Sequence, residues 1–394
     1  NEGGSTFGAF TGGTDPLFRH SWSAWANYNT GASAQRYSEE RSSAGQLRPT
    51  GGGAGYVNDR YRWTFYTSAE TYVLNYGESL YTLPDLDRPG SHFLDISNTG
   101  LDYYEQHIAA QAGAWWVWRS RYFVSARYRY DYRTNWTALD DFSYQPFLPV
   151  RGSFAGPSLA ISLDKTEYFR YSISPQAGYR LTATVEAQEE VFGSDFRKEI
   201  GTVDGRAYFK VPFLPYTVLG FRGVTGFASG DDIRPSTFRL GGALGESVFV
   251  NSTQNYYSLR GFPFFAFGGE RMVLGSAELR FPIWRANRGL GTGPIFLRTL
   301  HGGLFADSGL AWEPDEPGAF DRVFNGEGDL DARLDSDLDA FHTGVGGELR
   351  MDTVWYYYFP LTIRLGYAFA LNEDPAGYEP GDFFGLIFTL GPSF

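Results

Sequence analysis

Apolar and polar residues alternate along much of this chain with the two-residue period of a β-strand. From Arg121 to Tyr132, the residues Tyr122, Val124, Ala126, Tyr128, Tyr130 and Tyr132 share one face, while Arg121, Ser125, Arg127, Arg129 and Asp131 share the other. Between Tyr61 and Tyr76, Tyr61, Trp63, Phe65, Thr67 and Ala69 oppose Arg62, Thr64, Ser68 and Glu70. Between Tyr179 and Gln188, Leu181, Ala183, Val185 and Ala187 oppose Arg180, Thr182, Thr184 and Glu186. Segments of about ten residues or more exceed the usual strand of a globular sheet and suit a tilted bilayer crossing, with one face to lipid and one to a polar lumen.

The connections fall into two length classes. Short ones lie at 58–60, 119–120, 164–168 and 214–215, and long polar ones at 30–50, 77–100, 133–152, 230–270 and 308–340. Short turns at one end and long loops at the other are the pattern of an outer-membrane barrel. Trp115, Trp116, Trp118 and Tyr122, and the run 355–359, crowd turn ends and are expected to form an interfacial girdle on the periplasmic side. The expected fold is all-β, a transmembrane antiparallel up-and-down β-barrel of about 14 or 16 strands. Residues 1–16 read as a lead-in and 17–394 as the barrel, with the first strand near Leu17 to Asn29 and a long loop at 230–270 folding inward. The count of 16 needs a further hairpin, near Thr6 to Thr11 or within a long loop.

Composition sharpens this picture. Aromatics make up 18% of the chain and glycines number 49, more rings than a soluble core uses and enough glycine for a hairpin protein. No apolar run approaches the roughly 18 residues of a membrane helix, and mean hydropathy is −0.31, a value that an alternating barrel strand readily produces. The segment Asn1 to Gly4 has no basic region followed by an apolar stretch, so a signal peptide is expected to be upstream or removed. The absence of cysteine excludes disulfides and thiolate metal sites. A net charge of −12 argues against nucleic acid as a partner.

An ordered series of short motifs runs through the last two fifths: Leu240-Gly241-Gly242, Leu259-Arg260-Gly261-Phe262, Glu278-Leu279-Arg280-Phe281-Pro282, Phe305-Ala306-Asp307-Ser308-Gly309, Gly344-Val345-Gly346-Gly347-Glu348-Leu349-Arg350, and a closing strand to Phe394. This series resembles the carboxyl-terminal half of the outer-membrane assembly barrels typified by BamA and TamA, the bacterial surface antigen family. The resemblance implies that the loop carrying Leu259, Arg260, Gly261 and Phe262 folds into the lumen, where Arg260 meets Asp307, with Glu278 a second acidic partner. Pairing fits the chemistry, because a buried guanidinium is costly unless a carboxylate meets its planar fork. An insert at 243–258 departs from the usual motif spacing. In the last strand, Phe384, Leu386, Phe388, Leu390 and Phe394 share one face and resemble the signal that assembly machinery reads on its substrates.

The resemblance further implies a bacterial outer-membrane location, with long loops extracellular and both termini periplasmic. It implies insertion or movement of proteins or lipids through the lumen and a lateral seam. Outer-membrane lipids, lipopolysaccharide, unfolded outer-membrane proteins, envelope complex subunits and an upstream periplasmic domain are the expected partners. A non-transporting barrel, either a passive pore or a structural anchor, is the alternative. No cofactor, metal or enzymatic role is expected: His20, His92, His107, His301 and His342 lack metal-ligand spacing and no hydrolase motif surrounds them. The acidic loop holding Asp329, Asp331, Asp335, Asp337 and Asp339 lacks the glycine and distal glutamate of an EF-hand and reads as solvated, with calcium as its functional alternative.

Overall fold

The computed structural model describes residues 6–29, 50–75, 81–82, 104–135, 143–144, 151–169, 172–231, 237–243, 255–263, 266–314, 341–356, 358–371 and 386–391. The strands are β1 (Thr6–Thr14), β2 (His20–Asn29), β3 (Thr50–Asn58), β4 (Thr64–Asn75), β5 (Tyr81–Thr82), β6 (Tyr104–Trp118), β7 (Tyr122–Asn135), β8 (Ser143–Tyr144), β9 (Gly152–Asp164) and β10 (Gly178–Gln188). They continue with β11 (Lys198–Lys210), β12 (Val218–Gly230), β13 (Phe238–Leu240), β14 (Asn255–Tyr257), β15 (Phe267–Gly269), β16 (Arg271–Gly289), β17 (Ile295–Trp312), β18 (His342–Trp355), β19 (Phe359–Ala370) and β20 (Leu386–Gly391). Fifteen of them lie in one sheet in chain order, interrupted only by β5 and β8, which pair with each other, and by β13 to β15, which form a small sheet of three. This is an all-β, antiparallel up-and-down fold. Among the described residues no helix is long and apolar enough to cross a membrane.

Among the described residues the sheet has 15 strands, between the expected 14 and 16, and the strand outside the clear alternation is β1, at one of the places, near Thr6 to Thr11, expected for a further hairpin. Residues 1–16, expected as a lead-in, contain it: Thr6 pairs with Asn29 and the register runs to Thr14 opposite Ser21. Gly8, Gly12 and Gly13 have no side chain to mark a face, which leaves only Phe7 and Phe10 to signal the period. The same register places Thr6 at the long-loop end, whereas an even strand number would put both chain ends beside the short turns.

Two compact units divide the chain. The first comprises 1–161, 184–199 and 230–235, and the second 162–183, 200–229 and 236–394. Both are inside-out by the standard of soluble proteins. In the first unit Phe10, Phe65, Ile108 and Tyr132 are exposed while Thr64, His107 and Asp131 are buried. In the second, Leu304, Leu349, Leu365 and Phe369 are exposed while Glu278, Asp307, Glu348 and Thr353 are buried. Water would select the reverse; hydrocarbon selects this. The apolar core of the second unit lies between strands and loop rather than between sheet layers, and unites Val224, Ala228, Met272 and Leu274 with Phe238, Leu240, Leu259, Phe262 and Phe267.

Turn chemistry fixes the short connections. Between β1 and β2, one carboxylate oxygen of Asp15 accepts the backbone N–H groups of Arg19 and His20, both at 2.6 Å. These bonds to the charged form hold the Asp15 carboxyl below its ordinary value.

Leu365, at the middle of β19, is 53% exposed and directly follows the inward-facing Arg364. Leu365→Arg is expected to cost about 2–4 kcal/mol when unfolding from lipid vesicles is titrated with denaturant. A change within about 0.5 kcal/mol, the usual size for a water-facing site, would show that this face does not meet hydrocarbon.

Candidate functional site

Strand parity and register bring the motif residues of the second unit onto one face. Glu278 on β16 is opposite Phe305 on β17, which is opposite Gly346 on β18. One pleat along, Arg280 faces Gly303 and Gly303 faces Glu348; one pleat back, Ser276 faces Asp307 and Asp307 faces Gly344. Arg350 on β18 is opposite Arg364 on β19. This alternate set also leaves Leu304, Leu349 and Leu365 on the exposed face.

Ion pairs connect these positions. Arg280 reaches Glu278 at 2.8 Å, and Arg350 bonds Glu278 at 3.0 Å and also contacts Glu348. Arg364 places two donors on the other Glu348 oxygen, at 2.9 and 3.1 Å. Gly303 lies between the two glutamates, and a Cβ there would be 3.3 Å from a Glu278 oxygen. Glycine thus clears the path across β17.

The long loop enters this field. Gly241 and Gly242 adopt φ of 137° and 65°, turning the chain after β13 so that Gly242 bonds the Phe262 carbonyl and pairs with Leu259. Tyr256 donates its hydroxyl to the Gly241 carbonyl and Ser258 donates to that of Gly242 at 2.8 Å. Leu259 and Phe262 are buried in the apolar cluster, and between them Arg260 projects onto the charged face. Arg260 Nε donates to Asp307 Oδ2 at 2.6 Å and Nη2 to Oδ1 at 2.7 Å, a bidentate fork. Its guanidinium carbon sits 3.5 Å over the Phe305 ring, with Glu348 at 3.8 Å and Glu278 at 3.9 Å from Nη1.

The glycines of the motif series have a steric role. A Cβ on Gly344 would lie 1.8 Å from the Arg260 carbonyl oxygen, one on Gly346 would lie 2.6 Å from the Phe305 ring, and Gly261, at φ 101°, approaches the Phe369 backbone. Four arginines, Arg260, Arg280, Arg350 and Arg364, meet three acids, Asp307, Glu278 and Glu348, leaving one positive charge in excess. Such a surface can hold a loop in one position and can pass polar chain past it; among the described residues no group of acids, histidines or cysteines could hold a metal ion.

Of the residues singled out in the sequence, Leu259, Arg260, Gly261, Phe262, Asp307 and Glu278 assemble here. Phe305, Glu348, Arg350 and Arg364 were missed as partners, although Glu278-Leu279-Arg280 and Glu348-Leu349-Arg350 share an acid-x-Arg spacing that puts both charges on one strand face. Leu386 and Phe388 are exposed on β20, and Leu390 pairs with Ile363. Phe384, Phe394 and the acidic loop at 315–340 lie outside the described residues. In the expected girdle, Trp116 and Trp118 stack at 6.4 Å, while Trp115 takes the opposite face and meets Tyr66 at 5.1 Å.

Comparison with solved structures identifies the architecture. BamA from Haemophilus ducreyi lacking POTRA domains 1–3 superposes with a TM-score of 0.52 at 13% identity, covering 99% of this chain and 69% of that one. The chain has the fold of the BamA barrels. CdiB from Acinetobacter baumannii (TM-score 0.49, 13% identity, 96% of this chain and 55% of that one) and CdiB from Escherichia coli (0.47, 12%, 98% and 58%) are more distant likenesses. No family model and no curated protein matches the sequence.

Arg260→Ala or Asp307→Ala alone strands a buried charge and is expected to cost about 3–5 kcal/mol. The double variant should cost less than the sum, by about 1–3 kcal/mol, in urea titrations of the refolded barrel. Additive costs would show that the pair is not formed. Gly344→Val should expel the loop and open 255–263 to protease, with the strands retained in circular dichroism.

Proposed function

We propose that this BamA-type barrel resides in the bacterial outer membrane and inserts or moves proteins there, through its interior and along its edge strands. The seated Arg260 loop carries this reading. A buried guanidinium among three carboxylates contributes little net stability compared with apolar packing of the same volume, yet it defines one loop position against alternatives. A pore with no moving parts has no need of that definition; a barrel that must admit and release polypeptide does.

The ends of the sheet support the same reading. The strand order terminates at β1 and β20, and six described residues of β20 pair with the twelve-residue β19. Edge strands present unpaired N–H and C=O groups that can template an incoming strand, and exposed Leu386 and Phe388 offer it an apolar flank. In this role the protein is a conduit rather than an enzyme. Its partners are outer-membrane lipids, unfolded barrel proteins and envelope subunits, with an upstream periplasmic domain to deliver substrate.

A photo-crosslinking amino acid placed at Phe10 or Phe388 should capture nascent outer-membrane proteins in cells, while the same group at exposed Val185 on β10 should not. Capture at none of them, or equally at all three, would favour the passive pore or structural anchor.

A further inference from the structure

The chain is acidic overall, with 45 Asp and Glu against 33 Lys and Arg, yet the stretches around three of its hairpin turns hold no acid. No Asp or Glu occurs between Gln106 and Tyr130, between Gly205 and Gly230, or between Leu279 and Ala306. These stretches contain the short connections β6 to β7, β11 to β12 and β16 to β17. Each of these three short turns thus lies in acid-free sequence.

Cations in these turns rest on rings. In the second unit, Lys210 lies 4.2 Å over Phe169, Arg285 lies 4.0 Å over Tyr216, and Arg288 lies 5.2 Å over Trp284. The first unit repeats the device, with Arg119 at 4.6 Å over Trp118 and Arg60 at 5.9 Å over Tyr61. The turns also place large side chains where the backbone favours glycine: φ is 69° at Phe213, 61° at Tyr216, 55° at Phe18 and 48° at Tyr356. Phe213 is fully exposed and Leu214, Tyr356 and Phe18 are mostly so. Strained, exposed rings gain nothing in water.

We propose that the short-turn ends of the second unit form a binding surface for anionic phospholipid headgroups, with the turn rings set among the first acyl carbons and Lys210, Arg285 and Arg288 held at phosphate level. Charge complementarity is one argument: exposed Lys210 and Arg288 and half-buried Arg285 each lie on a ring at a fixed height, and each basic group near an anionic leaflet strengthens attachment about 5-fold. Continuity is the other. Phe209, Phe221 and Trp284 carry the exposed apolar face of β11, β12 and β16 directly into these turns. Within the second unit the cations lie on rings of the same turns that carry the exposed apolar face, a pairing of charge with apolar surface that suits a lipid better than an acidic protein. This surface rests on the membrane-barrel reading and gives that reading a leaflet chemistry.

The test uses the full chain refolded in detergent, supplied with equimolar phosphatidylglycerol and phosphatidylcholine, and read by native mass spectrometry of retained lipid. Heat-modifiable migration first establishes that each sample is a folded barrel; failure of every sample to fold or insert would sink the membrane reading itself. In folded protein, phosphatidylglycerol should be retained at least about 5-fold over phosphatidylcholine. The triple variant Lys210→Gln, Arg285→Gln, Arg288→Gln should bring the ratio near parity, while Arg197→Gln, which removes a cation from the longer connection between β10 and β11, should leave it unchanged. Parity in the parent, an undiminished preference in the triple variant, or an equal loss with Arg197→Gln would overturn the proposal; the first two would leave these cations to an acidic polypeptide.

Discussion

A guanidinium buried beneath a loop organises the second unit. Arg260 cannot leave water without a carboxylate fork, and Asp307 supplies it from the middle of β17. For the fork to close, the Arg260 carbonyl must pass within a side chain's width of β18, so Gly344 has no side chain; Phe305 must lie flat beneath the charge, so Gly346 has none either. The remaining acids, Glu278 and Glu348, are paired by Arg280, Arg350 and Arg364. Removing the arginine would therefore disturb more than one ion pair. It would leave three carboxylates sharing a face with less positive charge and would free the loop to lift.

In the proposed membrane setting, hydrocarbon on the opposite face imposes the second constraint. Backbone groups exposed to lipid must bond to one another, which favours long antiparallel neighbours joined in order over any arrangement with open irregular segments. The side chains then sort by pleat: Leu349 and Leu365 go outward and Glu348 and Arg364 inward, one residue apart. The charge field and the apolar surface are thus two consequences of one register, and a slip of a single residue would exchange them.

For the proposed movement of a polypeptide, the seated loop and the edge strands supply complementary properties. Leu259 and Phe262 anchor the loop in an apolar cluster on either side of Arg260, so the charged contact has a defined position to return to. At β1 and β20 the sheet ends in backbone able to bond another strand. One feature occupies space among the strands and the other offers a template, and both follow from strand pairing rather than from a catalytic group.

Whereas the meeting of Arg260 with Asp307 and Glu278 was implied by the resemblance of the motif series, local pattern alone determined the all-β class, the strand positions with strong alternation and the split between short and long connections. These were legible because each strand records its two faces every second residue. β1 was legible only as one candidate place for a further hairpin, near Thr6 to Thr11, since Gly8, Gly12 and Gly13 carry no side chain to record a face, and Trp115 was grouped with Trp116 and Trp118 because clustering in sequence hides the pleat that separates them. Only the tertiary structure decided that Glu348, Phe305 and Arg364 complete the site, that Gly344 admits the loop, and that Gly346 leaves room for the Phe305 ring and the Tyr367 carbonyl. Those facts depend on the register between β16, β17, β18 and β19 and on the return path of a loop from far along the chain. Period along a strand is a short-range property, whereas register and loop seating are set by which distant side chains can share a buried space without clash or unpaired charge.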